Sequence, residues 1–188
     1  IEWCEGIEVF CSDMWQGSFN TAKAAFPNAT LVVDRFHFFG YLNKIIDNER
    51  KSLRRQLKDR DEFKRLKWAL LKNTEDLIDD QKKKLAHAFL LAPQLELSYR
   101  HKEKIRLIFD QRLARQQGEV ELNQWMEQAR KMKNKYLNNF LYMLNDWKEY
   151  VLNYFTHRFT PSVIEGINNS VKTVKRMGYG FRNFVNFK

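Results

Sequence analysis

The chain has 188 residues, with 33 Lys or Arg against 23 Asp or Glu, for a formal net charge of +10 at pH 7. That length buries a core without disulfide staples, and 44% hydrophobic with 14% aromatic residues excludes a disordered or low-complexity chain. Only 7 Gly and 3 Pro argue against a turn-rich all-β sandwich, and no apolar run approaches the roughly 20 residues that span a bilayer.

In chain order, Ile7-Glu8-Val9-Phe10-Cys11-Ser12 is a short β-type run ending at Asp13, and Thr30-Leu31-Val32-Val33 is an apolar, β-branched run ending at Asp34. Short apolar runs between polar turns suit strands of a sheet covered by helices. Between them Phe19, Ala22, Ala25 and Phe26 fall at helical spacing, stopped by Pro27-Asn28. Strand, helix, strand predicts a βαβ unit with parallel neighbours, and both strands then deliver an aspartate at their carboxyl ends, where open α/β sheets place ligands. From 38 to 157 the pattern is helical. Phe39, Leu42, Ile45 or Ile46, Leu53 and Leu57 form one stripe; Trp68, Leu71, Leu77, Ile78, Leu85 and Phe89 continue in shorter helices, with breaks expected near Asn73 and Asp79-Asp80. Pro93 ends a helix, and Tyr99, Ile105, Ile108 and Leu113 mark another. From Leu122 through Trp125, Met126, Ala129, Met132, Leu137, Phe140 and Leu141 to Leu144, a 3-4 spacing runs unbroken, as expected of a helix-packing face. After Pro161 the pattern restarts: Ser162 and Glu165 have capping-box spacing, and a helix runs through Ile167, Val171 and Val174 to Gly178 or Gly180. Its other face carries Glu165, Asn168, Asn169, Lys172, Lys175 and Arg176.

The charge is uneven. Residues 50–67 carry a net +6 and residues 158–188 a net +5, leaving the remainder at −1. Two basic segments on a nearly neutral body point to a polyanion, most simply nucleic acid, although charged helix faces also serve solubility. Cys4 and Cys11 match no disulfide framework or zinc spacing, so a reducing cytosol is the simpler setting.

Asp13 and Asp34 at strand ends and Glu165 on a late helix invite a metal site, since Mg²⁺ prefers carboxylate oxygens, and two ions about 4 Å apart support phosphoryl transfer. Taken alone, scattered acids more often serve as caps and turns. Here they come with motifs. Asp13-Met14-Trp15, Ala25-Phe26-Pro27-Asn28-Ala29, Val33-Asp34-Arg35-Phe36-His37, Leu66-Lys67-Trp68-Ala69-Leu70-Leu71-Lys72-Asn73, Val163-Ile164-Glu165-Gly166-Ile167-Asn168-Asn169 and Tyr179-Gly180-Phe181-Arg182-Asn183-Phe184 stand in this order. Together they resemble the DDE-type insertion-sequence transposases of the ISL-three family over essentially the whole chain.

The resemblance implies a mainly α protein with a small α/β part: a truncated ribonuclease-H-like core, built from the βαβ unit and the late catalytic helix, interrupted by a large helical insertion. Its divisions are 1–37 for the partial core, 38–157 for the insertion, and 158–188 for the return to the core with the catalytic helix and basic tail. Asp13 matches the second catalytic acid and Glu165 the third; both become metal ligands for Mg²⁺ or Mn²⁺, two ions in the complete site. Asp34 and His37 match the D-R-F-H signature, in an orienting or DNA-contacting role. No strand for the first acid precedes Asp13, so the expected entity is a fragment that is inactive and metal-free by itself. The partners implied are transposon-end and target DNA and, in the full protein, further copies of itself, in the bacterial cytosol or nucleoid. Lys172, Lys175, Arg176, Arg50, Arg54 and Arg55 are the expected DNA-binding residues. The alternative is a basic helical module that binds DNA or oligomerises without catalysis, the 122–144 stripe pairing with another subunit.

Overall fold

The computed structural model describes residues 2–57, 61–159 and 162–177, with side chains for all of these except Glu2, Glu62, 162–165 and Asn168. After a short helix α1 (Glu2–Glu5) come β1 (Val9–Ser12), α2 (Gln16–Ala25) and β2 (Thr30–Val33). The two strands pair in parallel with Val9 opposite Thr30 and Ser12 opposite Val33, so the βαβ unit forms as its sequence predicts. α3 (Arg35–Gln56), α4 (Asp61–Lys64), α5 (Lys67–Leu71), a 3₁₀ turn (Thr74–Asp76), α6 (Asp79–Leu91), α7 (Pro93–Asp110), α8 (Arg115–Lys131), α9 (Lys135–His157) and α10 (Ser162–Met177) follow. The described residues are therefore mainly helical around a two-stranded parallel sheet.

The breaks expected near Asn73 and Asp79-Asp80 are found at 72–73 and 77–78, and Asp79 and Asp80 open α6, where acidic side chains favour the positive helix end. Two local readings are corrected. The 122–144 stripe is not continuous: α8 stops at Lys131, Lys133 takes a left-handed backbone with φ of 52°, and Asn134 caps α9 by accepting from the Tyr136 and Leu137 backbone N–H groups. Trp68, placed on an apolar stripe by its spacing, is exposed and lies under the Lys67 ammonium.

The helical hairpin made by that turn explains the apolar pattern. Leu122, Trp125, Met126 and Ala129 on α8 face Leu137, Phe140, Leu141 and Leu144 on α9, all buried in one cluster with Phe19, Val32, Val33 and Phe38. The stripe is thus the helix-packing face that its spacing predicts, buried inside the chain and not free for the alternative pairing with another subunit. α9 lies across β2, where the Asn153 side-chain amide donates to the Leu31 carbonyl at 2.8 Å, and Phe19 packs edge-on to Trp147 at 4.8 Å. The strands and the helices after residue 38 share this core, because α3 runs unbroken from the strand end. A second cluster, with Phe63, Leu66, Leu70, Leu85, Leu95 and Tyr99 at its centre, joins the far half of α3 to α4–α7. α10 differs. Ile167, Val171, Val174 and Met177 along it are exposed.

Candidate functional site

Parallel strands open both carboxyl ends on one edge of the sheet. The Asp34 N–H donates to the Ser12 carbonyl at 2.7 Å, so Asp13 and Asp34 are the next residues on adjacent strands. Their surroundings differ. Asp13 is half-buried and accepts the Ser12 hydroxyl at 3.0 Å, and that hydroxyl also lies 3.0 Å from Ser18 Oγ. Asp34 is only 1% exposed and caps α3, accepting from the Phe36 N–H at 3.1 Å. Its other oxygen stands 3.7 Å from His37 Nε2 on the exposed face. The D-x-x-H spacing therefore has a direct local meaning: the aspartate starts the helix and holds the histidine one turn on.

Cys11, one residue earlier, is pushed up to about 11 by burial and then by the Asp34 charge, so the thiol stays protonated and is no nucleophile near neutral pH. Its Sγ lies 3.6 Å from the Phe159 carbonyl. The chain thus returns to β1 just ahead of α10, the helix that contains Glu165. The Glu165 side chain lies outside the described residues. Among the described residues no three His, Cys, Asp or Glu gather into a metal-holding group, and Asp34 is spent as a cap. The described donors do not by themselves fit a divalent ion.

The expected DNA-binding cations separate. Lys172, Lys175 and Arg176 are exposed on α10 and pair with no described acid. Arg55 is exposed and donates to the Lys51 carbonyl at 3.3 Å, and Arg54 is half-buried. Arg50 is a correction: it is buried, with Nη2 2.7 Å and Nε 2.9 Å from Asp47 Oδ1 and Nη1 2.7 Å from the Phe63 carbonyl. It ties α3 to α4 and offers no surface charge.

Sequence reasoning assigned no role to the second residue of D-R-F-H. The Arg35 guanidinium pairs with Asp110 at the end of α7, donates to the Tyr154 hydroxyl of α9 at 3.3 Å and lies over the Phe39 ring. Asp110 also accepts from Arg106 at 2.7 Å, and Arg106 reaches Glu75 at 2.8 Å and Glu103 at 3.3 Å. Glu103 faces the buried Lys102 ammonium at 3.0 Å, which in turn donates to the Leu70 and Lys72 carbonyls. A line of alternating charges thus runs from the signature motif into the helical region. Its members read in sequence as solvated helix charges; only Arg35, inside the motif, carried a signal.

All of residues 1–188 match the model of the DDE-type, ISL-three transposase family. The chain belongs to this transposase family. It is 32% identical over 167 residues to the transposase for insertion sequence element IS1001 of Bordetella parapertussis, covering 86% of this chain and 41% of that protein. It is 23% identical over 182 residues to the transposase for insertion sequence element IS1557 of Mycobacterium tuberculosis, covering 84% of this chain and 40% of that one. The chain thus spans about two-fifths of the length of these curated relatives. No solved structure matches it significantly. In this transposase chain the D-R-F-H motif sits where β2 passes into α3, and no helix among the described residues is long and apolar enough to cross a membrane.

Proposed function

We propose that this chain contributes the later part of a ribonuclease-H-like transposase site that cuts DNA and joins it to a target. The observation that carries the reading is the sheet edge: Asp13 and Asp34 stand side by side at the strand ends, and the chain returns to Cys11 at Phe159 just before α10. Asp13 and Glu165 are the acids assigned to the chemistry, and they would hold Mg²⁺ or Mn²⁺ once a further acid joins them. Asp34 and His37 are assigned an orienting role, because the first is buried as a cap and the second is placed by it. The reaction is in-line attack by water on a phosphodiester at the transposon end, one P–O bond forming as another breaks. The freed 3′-hydroxyl then attacks target DNA in the same manner. Residues 38–157 act as a helical insertion, assembly is through copies of the complete transposase, and the setting is the bacterial cytosol.

The exposed Lys172, Lys175 and Arg176, together with Arg55, are placed on the DNA backbone, since cation–phosphate pairing dominates affinity. The test is duplex DNA binding by fluorescence anisotropy over a salt series. Replacing Lys172, Lys175 and Arg176 with Ser is expected to reduce the log–log salt slope by about 0.9 for each phosphate no longer neutralised, while Asp13→Ala leaves binding intact. An unchanged slope removes α10 from the interface. In a transposase of the relatives' length carrying this segment, Asp13→Asn and Glu165→Gln are expected to bind transposon-end DNA without cutting it; cutting at the wild-type rate by either variant refutes the assignment.

A further inference from the structure

A cleft of about 400 Å³ opens beside the first turn of α3, where that helix faces α7 and the Leu71–Asn73 region, a size that suits a small organic group. The Phe36 ring, 58% exposed, and the half-buried Phe39 ring give it an aromatic wall. Arg35, Lys102 and Arg106 also line it, but each faces an acid: Asp110, Glu103, or Asp110 with Glu75 and Glu103. The charges cancel across the cleft, so an isolated phosphate finds no surplus cation there.

Two amides supply the remaining polarity. Asn43 makes no hydrogen bond with the described residues, and Asn73 commits its Nδ2 to Asp76 at 2.9 Å while its Oδ1 stays available. Phe36 gives its backbone N–H to the Asp34 cap, and its side chain joins neither buried cluster, so a large, mostly exposed apolar group stands beside the sheet edge. An aromatic face, an amide with both donors and an acceptor, and a further acceptor fit a planar, uncharged heterocycle with a hydrogen-bonding edge. That is the chemistry of a nucleobase, and extruded bases are held in this way, by stacking and by hydrogen bonds to their edge.

We propose that this cleft receives an extrahelical nucleobase of bound DNA, stacked on Phe36 and hydrogen-bonded along its edge by Asn43 and Asn73. The proposal rests on the DNA-acting reading above and deepens it. A base held here anchors its strand next to the strand-end acids, so the cleft sets which nucleotide is presented and the acids set what is done to its neighbour. Arg35 acts as a positioning residue, fixing the first turn of α3 to α7 and α9.

The test uses two duplexes that differ in one group: a single bulged adenosine, and an abasic bulge at the same position. Binding of the chain is followed by anisotropy at one salt concentration. The adenosine bulge is expected to bind about tenfold tighter, the scale of one base–aromatic stack. Phe36→Ala, and separately Asn43→Ala, are expected to reduce that duplex to the abasic affinity while leaving the abasic affinity unchanged; circular dichroism establishes that both variants fold. Equal wild-type affinity for the two bulges, or a full preference surviving in Phe36→Ala, overturns the cleft while leaving the DNA-acting reading in place. Binding to neither duplex overturns both. Adenosine monophosphate added at the duplex concentration is expected to leave the preference intact; its disappearance assigns the cleft to free nucleotides and overturns the proposal.

Discussion

His101 gives the sharpest thermodynamic test of the helical packing. The residue is buried on α7, its ring stacked on Trp125 with centroids 4.5 Å apart and planes within 14°, while the Trp125 indole N–H donates to the His101 carbonyl at 2.9 Å. Burial, aided by the nearby Lys104 charge, lowers the imidazole from 6.5 to about 4. A base lowered on folding is protonated first in the unfolded chain, so its contribution is complete above pH 6.5 and is lost as pH falls toward 4. At about 1.4 kcal/mol per pH unit the full interval is worth about 3 kcal/mol, reduced to about 2 by solvent screening at the ring edge. His101→Phe keeps the ring stack and removes the titration. Urea unfolding followed by tryptophan fluorescence from pH 7.5 to 4.5 is expected to show wild type losing about 2 kcal/mol more than the variant. The carboxylates common to both chains cancel in that difference. Parallel stability curves would refute a neutral, buried His101 and the α7–α8 packing that creates it.

Other substitutions probe single interactions by the same unfolding assay. Gly118→Ala puts a methyl 2.6 Å from the Phe155 ring, which is itself packed at 5.2 Å on Phe109; overpacking outweighs the helix gain and costs about 1–2 kcal/mol net. Lys102→Met removes the donor to Leu70, Lys72 and Glu103 and is expected to cost about 3 kcal/mol, part of it recovered in Lys102→Met with Glu103→Gln. Asp34→Ala removes the α3 cap and about 1 kcal/mol, whereas Asp34→Asn, which can still accept from Phe36, stays near wild type. A large destabilisation in Asp34→Asn would show that the charge, and not the cap, is what the position supplies.

Much of this fold was legible where local chemistry and packing agree. The β-branched run of β2, the helical spacing of Phe19 and Ala22 and the stop at Pro27 specify a parallel βαβ unit, and the aspartates fall at its open edge. What was not legible depends on partners distant in sequence. The apolar spacing from Leu122 to Leu144 continues through a turn, because both arms of a hairpin must present the same face to a shared core; only Asn134, a capping residue, marked the break. Arg50 reads as one more cation in a basic run, and its burial follows from the Phe63 carbonyl that α4 brings to it. The Lys102–Glu103–Arg106 line has the same character, since sequence cannot distinguish paired interior charges from solvated ones. In the site, Asp13 and Asp34 stood out in the sequence as acids at strand ends, the resemblance supplied their roles and that of His37, and the structure adds the work done by Arg35.

The distance between Asp13 and Glu165 decides whether the two acids belong to one site. Nitroxide labels at Asp13→Cys and Glu165→Cys, in a Cys4→Ser chain, report it directly; Cys11 resists labelling because its thiol is held at about 11. Strong dipolar broadening, absent when either label is omitted, is the expected result. An unbroadened spectrum from the doubly labelled chain would place the two acids apart and contradict the assignment.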